Sequence, residues 1–214
     1  MILENNSTIL FTGDSITDSG RSRSEGDGKS IHGNGYVHFV NLLLKSSYFM
    51  NGYEIRNTGV SGNTVRLLSE RWQKDVLDHK PDYLSVMIGV NDVWRQFTNR
   101  MDQAVLIDEY EATYAELLRQ AKPIVKRLIL ITPFLAEADR SEPMRKTIDT
   151  YADVVRKLAS DNNAVLVDMQ HEFDKYMDQG FPQSELAADR VHPTGAGCMI
   201  IARTVLRECG YKFV

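Results

Sequence analysis

Five residues of this chain are of types that together can carry out acyl transfer. Ser15 can act as nucleophile, His192 as general base, and Asp189 as the carboxylate that orients the imidazole. Asp189 and His192 lie three residues apart, in a segment that Pro193 stiffens. That spacing lets a carboxylate reach Nδ1 while Nε2 faces a hydroxyl. The donors for a tetrahedral oxyanion would be the backbone N–H of Ser15, the backbone N–H of Gly62 and the side-chain amide of Asn91. At Gly62 the missing Cβ leaves the N–H open to close approach.

These residues are far apart in sequence, so a scaffold must bring them together. Short apolar runs at Thr8–Phe11, Glu54–Thr58, Tyr83–Ile88, Leu128–Thr132 and Ala164–Val167 read as buried parallel strands. Segments of helical periodicity lie between them, at Tyr36–Lys45, Thr64–Leu77, Ile107–Val125, Pro143–Ser160 and Thr194–Glu208. Pro143 suits a first helical turn, Thr194 an N-cap, and Gly210 the position just past a helix end. Strand alternating with helix predicts an α/β fold, a three-layer α/β/α sandwich. Open parallel sheets bind ligands beyond the carboxyl ends of their strands. The first three runs are followed by Gly13-Asp14-Ser15, by Gly59 to Asn63, and by Gly89 to Asp92. The segment Asp189 to Pro193 precedes the last helix. Four polar clusters are therefore expected to converge on one edge of one sheet.

Each residue also has a plainer reading. Ser15 could cap the helix after the first strand, and His192 could be a satisfied core histidine. Asp189 could be a surface carboxylate, and Asn91 a turn residue. Asp14 and Trp94 are candidate substrate-binding residues. Asp14 could instead bond loop N–H groups, and Trp94 could be core. Trp72, spaced with Val65, Leu68 and Val76, reads as core packing. Ser19–Gly35 is rich in Gly, Ser and charge and is long for a simple connection. It is either a mobile surface loop or a wall of the active site or of a subunit contact.

The stretches FTGDSITDSGR, NTGVSGNTV, IGVNDVW and DRVHPTGAG resemble the four signature blocks of the SGNH, or GDSL, hydrolase family, in the family's order and spacing. The resemblance covers nearly the whole chain. It implies a single SGNH hydrolase domain over residues 1–214, a flavodoxin-like five-stranded parallel sheet, no cofactor, and ester hydrolysis through an acyl-enzyme. The family's catalytic serine falls on Ser15, its glycine on Gly62, its asparagine on Asn91, and its aspartate and histidine on Asp189 and His192. GDSITDSGR, VSGNTV, IGVNDVWRQF, the segment Ile107 to Tyr114 and DRVHP further resemble the acetylxylan and xylo-oligosaccharide acetyl esterase branch. That branch often has an aromatic residue before the Asp of DRVHP, where this chain has Ala188. A homo-oligomer is expected from the resemblance alone.

Composition removes several other classes. The 214 residues include 25 basic and 29 acidic side chains, for a net charge of −4, with 43% hydrophobic residues. That balance excludes a largely disordered chain and shows no electrostatic footprint for nucleic acid. Cys198 and Cys209 lack CxxC spacing and read as reduced, buried thiols. His32, His38, His79 and His171 show no paired ligand spacing, so no metal site is expected. GxSxG and GxGxxG are absent, against an ordinary α/β-hydrolase elbow and a dinucleotide site. No apolar run is long enough to span a membrane, and Met1 to Thr8 carries no signal pattern, so a cytoplasmic location is expected. The expectation is a cytoplasmic serine esterase acting on acetylated sugars, with neither nucleic acid nor membrane as partner. Two alternatives stand beside it. One is a lysophospholipase, thioesterase or aryl esterase for longer acyl chains. The other is a catalytically silent carbohydrate-binding relative.

Overall fold

The structure, a computed structural model, describes residues 2–24 and 28–212. In chain order the elements are β1 (Thr8–Gly13), α1 (Ser15–Asp18), α2 (Tyr36–Tyr48), β2 (Glu54–Asn57), α3 (Val65–Glu70), α4 (Trp72–Asp75), β3 (Tyr83–Met87) and α5 (Val90–Trp94). They continue as α6 (Ile107–Ala121), β4 (Arg127–Ile131), α7 (Pro143–Asp161), β5 (Val165–Val167), α8 (Met169–Asp178), α9 (Gln183–Leu186) and α10 (Gly195–Glu208).

The five strands form one parallel sheet in the order β2-β1-β3-β4-β5. The chain runs outward from β1 to β2, then returns to β3 on the other side of β1. The crevice beyond the carboxyl ends of β1 and β3 is therefore the topological switch point, where open α/β sheets take ligands. The central strands are apolar on both faces, with Leu10, Leu84, Val86 and Leu130 fully buried. That is the pattern a sheet covered by helices on both sides demands. β2 departs from the fully buried reading: Glu54 is exposed and Arg56 half-buried, because it lies at the sheet edge.

Helix α2 packs on α10, and α6 packs on α3 and α7. The expected starts of α7 and α10 hold. Glu142 accepts the Arg145 N–H at 2.6 Å ahead of Pro143. The Thr194 hydroxyl accepts the Gly197 N–H at 3.2 Å. The helix expected over Thr64–Leu77 is broken into α3 and α4. At Arg71 the backbone leaves helical geometry, and the guanidinium turns inward to carbonyl oxygens at the sheet edge. The sequence reading passed over α8, which Asp168 caps through the His171 N–H. Among the described residues, no helix is long and apolar enough to cross a membrane.

The described part of the Ser19–Gly35 segment folds back beside β2. Asn34 N–H donates to Ser19 O at 2.9 Å, and His32 Nε2 bonds Ile55 O at 3.1 Å. It helps line a cavity of about 400 Å³ with Arg21, Ser22 and His32, and none of the five candidate acyl-transfer residues lines that cavity. Residues 25–27, the centre of the segment, lie outside the described residues.

Candidate active site

The nucleophile candidate sits where β1 ends. Gly13 has a φ of +155°, and a Cβ there would stand 2.0 Å from Met87 O. Only glycine lets β1 and β3 close at this point. Asp14 follows as the N-cap of α1, with Oδ1 accepting the Ile16 N–H at 3.0 Å. Ser15 then opens the helix. The side chain of Ser15 is thereby presented at the sheet edge, with its own N–H on the first turn.

Ser15 Oγ lies 3.0 Å from His192 Nε2, and His192 Nδ1 lies 2.6 Å from Asp189 Oδ2. A carboxylate only accepts, so the proton is on Nδ1, and the Nε2 lone pair accepts from the serine hydroxyl. The other Asp189 oxygen accepts the N–H groups of Val191 and His192 at 3.0 and 2.7 Å. Burial works to raise the Asp189 carboxyl. Hydrogen bonds from the His192 ring and from these two N–H groups outweigh it and hold the group below its ordinary range. The loop between the two residues is strained. Arg190 has a φ of +71°, in the left-handed region. It is held there by Ala136 N–H on its carbonyl at 2.8 Å and by a 3.0 Å ion pair with Glu137.

The other two candidate oxyanion donors, Gly62 and Asn91, lie on two further turns. Gly62 has a φ of +80° with open space where a Cβ would stand, so its backbone conformation, not crowding, requires glycine. Asn91 Nδ2 donates one N–H to Asn63 O at 3.0 Å, which fixes the amide and leaves its second N–H outward. Among the described residues, neither the Ser15 nor the Gly62 N–H has a hydrogen-bond acceptor. Gly62 and Asn91 share the wall of a cavity of about 390 Å³ with Trp94, Arg95, Thr98 and Arg100. Trp94 meets the His192 ring edge-on at 6.1 Å between centroids. Trp94 thus stands on the expected side of the site.

Asp14, the other expected substrate residue, does not line this cavity. It is 1% exposed, its carboxylate caps α1, and burial pushes that carboxyl up to about 7. Its place is beneath the nucleophile, out of a substrate's reach. Asp92 is likewise buried, with Oδ1 accepting the Val65 N–H at 2.9 Å and, among the described residues, no hydrogen-bond partner for Oδ2. Trp72 is core, as expected.

Three charged residues that the sequence reading passed over tie these turns together. Asp18 accepts both the N–H and the hydroxyl of Ser61, at 3.0 and 2.9 Å, linking α1 to the Gly62 turn. Arg71 donates to Gly13 O at 2.9 Å, Thr58 O at 2.7 Å and Asn63 Oδ1 at 2.6 Å. Arg95 donates to Gly62 O at 2.6 Å. The acceptors of the two arginines are mostly backbone carbonyls, which carry no mark in a sequence. Among the described residues, no group of His, Cys, Asp and Glu could hold a metal ion.

A serine, a histidine held by a carboxylate, and three convergent N–H donors can perform nucleophilic acyl transfer. Comparison with known proteins points the same way. A curated acetylxylan esterase of Geobacillus stearothermophilus is 48% identical over 209 residues, covering 96% of this chain and 95% of that one. A crystal structure of an acetylxylan esterase from that organism has a TM-score of 0.94 at 46% identity, covering 99% of this chain and 98% of its own. Three related structures of that esterase replace a serine, an aspartate or a histidine by alanine and are described as catalytic mutants. An α/β hydrolase enzyme from the metagenome of Lake Arreo, Spain, has a TM-score of 0.93 at 42% identity, covering 98% of each chain. The family model described as GDSL-like Lipase/Acylhydrolase family matches residues 11–200, and the chain belongs to that family.

Proposed function

We propose that this chain is a serine esterase that removes acetyl groups from short carbohydrates, acetylated xylo-oligosaccharides foremost. The observation that carries the reading is the line from Asp189 through His192 to Ser15, at 2.6 and 3.0 Å, beside a cavity walled by Gly62 and Asn91. His192 takes the Ser15 proton as Oγ attacks the acetyl carbonyl. The oxyanion is held by the N–H groups of Ser15 and Gly62 and by the Asn91 amide. His192 returns the proton to the leaving sugar hydroxyl. Water then repeats the sequence on the acetyl-enzyme, releasing acetate and restoring Ser15.

The 48% identity to an acetylxylan esterase supports the carbohydrate substrate. The wall of the cavity also disfavours a long acyl group there. Its one large apolar face is Trp94, and the rest is amide, hydroxyl, guanidinium or glycine. A long acyl chain would bury those polar groups without hydrogen-bonding them, which is unfavourable. A catalytically silent binding protein would have no need of an intact Ser–His–Asp line.

The cytoplasmic location is part of the same reading. Cys198 and Cys209 are free and buried, which suits a reducing compartment. Burial pushes their thiols up to about 11 and about 12, so they stay protonated and inert. Self-association is also part of it. Phe49 and Met50, 71% and 77% exposed just after α2, support it, and light scattering tests it.

The test is hydrolysis of p-nitrophenyl esters from acetyl to octanoyl, then of acetylated xylo-oligosaccharides, with Ser15→Ala as the zero. Serine-dependent acetate release is expected. A rate that peaks at longer esters would discard the sugar assignment and keep the triad. Turnover untouched by Ser15→Ala would overturn the catalytic reading.

A further inference from the structure

The cavity beside the oxyanion donors carries charge that an acetyl ester of a neutral sugar does not use. Its wall includes two arginines, Arg95 and Arg100, and no Asp or Glu, in a chain whose net charge is −4. Arg95 donates to two carbonyl oxygens, Gly62 O at 2.6 Å and Gln103 O at 3.3 Å. Those bonds orient the guanidinium and, among the described residues, leave it without an ion pair. Arg100 is exposed, and among the described residues its guanidinium has neither a hydrogen bond nor an ion pair. Nearby arginines behave otherwise. Arg66 is paired with Glu109 at 2.6 Å, and Arg71 with Asp75 at 3.0 Å.

An arginine fork matches a carboxylate with two parallel N–H donors. Trp94, on the same wall, offers a flat apolar face suited to a pyranose ring. The transition state itself is served by Ser15, Gly62 and Asn91, so the arginine charge is available for a second feature of the substrate.

We propose that this cavity is a subsite for a carboxylate carried by the carbohydrate, with Arg100 as its free cationic partner and Arg95 as a fixed positive wall. The preferred substrates are acetylated oligosaccharides with a hexuronic acid residue close to the acetylated sugar. This rests on the esterase reading above and adds to it the charge of the substrate.

The experiment compares kcat/KM for acetate release from a matched pair of acetylated xylo-oligosaccharides, one with a hexuronic acid branch and one without. An exposed ion pair of up to about 1 kcal/mol predicts a preference of up to about fivefold for the acidic member at low ionic strength. Salt at about 1 M, where the Debye length is about 3 Å, should remove most of it. Arg100→Gln should lower the ratio toward one, and Arg100→Glu should invert it. Arg100 is exposed, and a melting curve checks that both variants fold. Equal kcat/KM for the pair in the unmodified enzyme, or a preference that survives Arg100→Glu, would overturn the subsite. Failure of the carbohydrate reading is distinct: p-nitrophenyl acetate is hydrolysed and neither oligosaccharide is. In that event, inhibition of p-nitrophenyl acetate hydrolysis by a methyl hexuronoside still reads the subsite. Stronger inhibition than by the neutral methyl hexoside, lost in Arg100→Glu, supports it, and equal inhibition overturns it.

Discussion

Arg95 Nη2 donates to the carbonyl oxygen of Gly62 at 2.6 Å. Gly62 sits in a left-handed conformation at φ +80°, with open space around it. Nothing packs where its Cβ would stand, so on that side its orientation depends on hydrogen bonds to the turn. A donor that is preorganised stabilises an oxyanion without reorganising during the reaction. Arg95→Ala should therefore lower kcat by about tenfold, short of the roughly 10²–10³ that follows loss of a donor itself. KM should change less, because the loss falls on the transition state. Steady-state kinetics on p-nitrophenyl acetate read both. An unchanged kcat with a raised KM would make Arg95 a binding residue only.

Asn91 is the proposed side-chain donor to the oxyanion. One of its N–H groups is committed to Asn63 O, which points the other toward the cavity it lines. Asn91→Ala should cost roughly 10²–10³ in kcat. A loss under tenfold would remove Asn91 from the oxyanion hole and leave the two backbone N–H groups to hold the charge.

Three of the four polar blocks were legible because each follows a strand, and a parallel sheet puts strand ends on one edge; the fourth, Asp189 to Pro193, was legible as the segment that opens the last helix. Ser15, Gly62, Asn91 and His192 could therefore be placed near one another before any distance was known. The strands were legible because the central ones are uniformly apolar. β2 misled, since Glu54 and Arg56 mark an edge that periodicity alone does not reveal. The bracing residues stayed hidden for a different reason. Arg71 and Arg95 act on carbonyls of Gly13, Thr58 and Gly62, and any residue type supplies a carbonyl. Asp14 was legible as a carboxylate that bonds backbone N–H groups, but its depth was not, because its burial depends on the closure of β1 against β3.

Asp189 holds His192 in its working tautomer through the 2.6 Å bond to Nδ1. Asp189→Asn keeps the shape and loses the charge that stabilises the imidazolium. By analogy with other triads kcat should fall by roughly 10⁴. Burial raises the Asp189 carboxyl, but its hydrogen bonds to His192 and to two backbone N–H groups win, so it stays ionised well into acid. Protonation of Asp189 should thus contribute nothing to the kcat/KM profile above about pH 4. An acid limb of two protons would mean that Asp14, whose carboxyl burial pushes up to about 7, must also be deprotonated.

Asp92 supplies a prediction about stability. Burial pushes its carboxyl from an ordinary 3.8 to about 7, and the charge of buried Asp14 adds to the rise. The folded state therefore binds more protons than the unfolded one between about pH 4 and 7. Stability carried by this group is fully present below the unfolded value and is lost as pH rises through the folded one. Each tenfold change in proton affinity is worth about 1.4 kcal/mol. Asp92→Asn keeps the acceptor for the Val65 N–H and removes the charge. The melting temperature of the variant relative to the unmodified protein should climb from pH 5 to pH 8, by about 4 °C or less for each kcal/mol in a chain of this size. Scanning calorimetry at three pH values measures it. A difference that stays flat across that range would mean Asp92 is ionised in the fold and that its unpartnered Oδ2 is hydrogen-bonded to water.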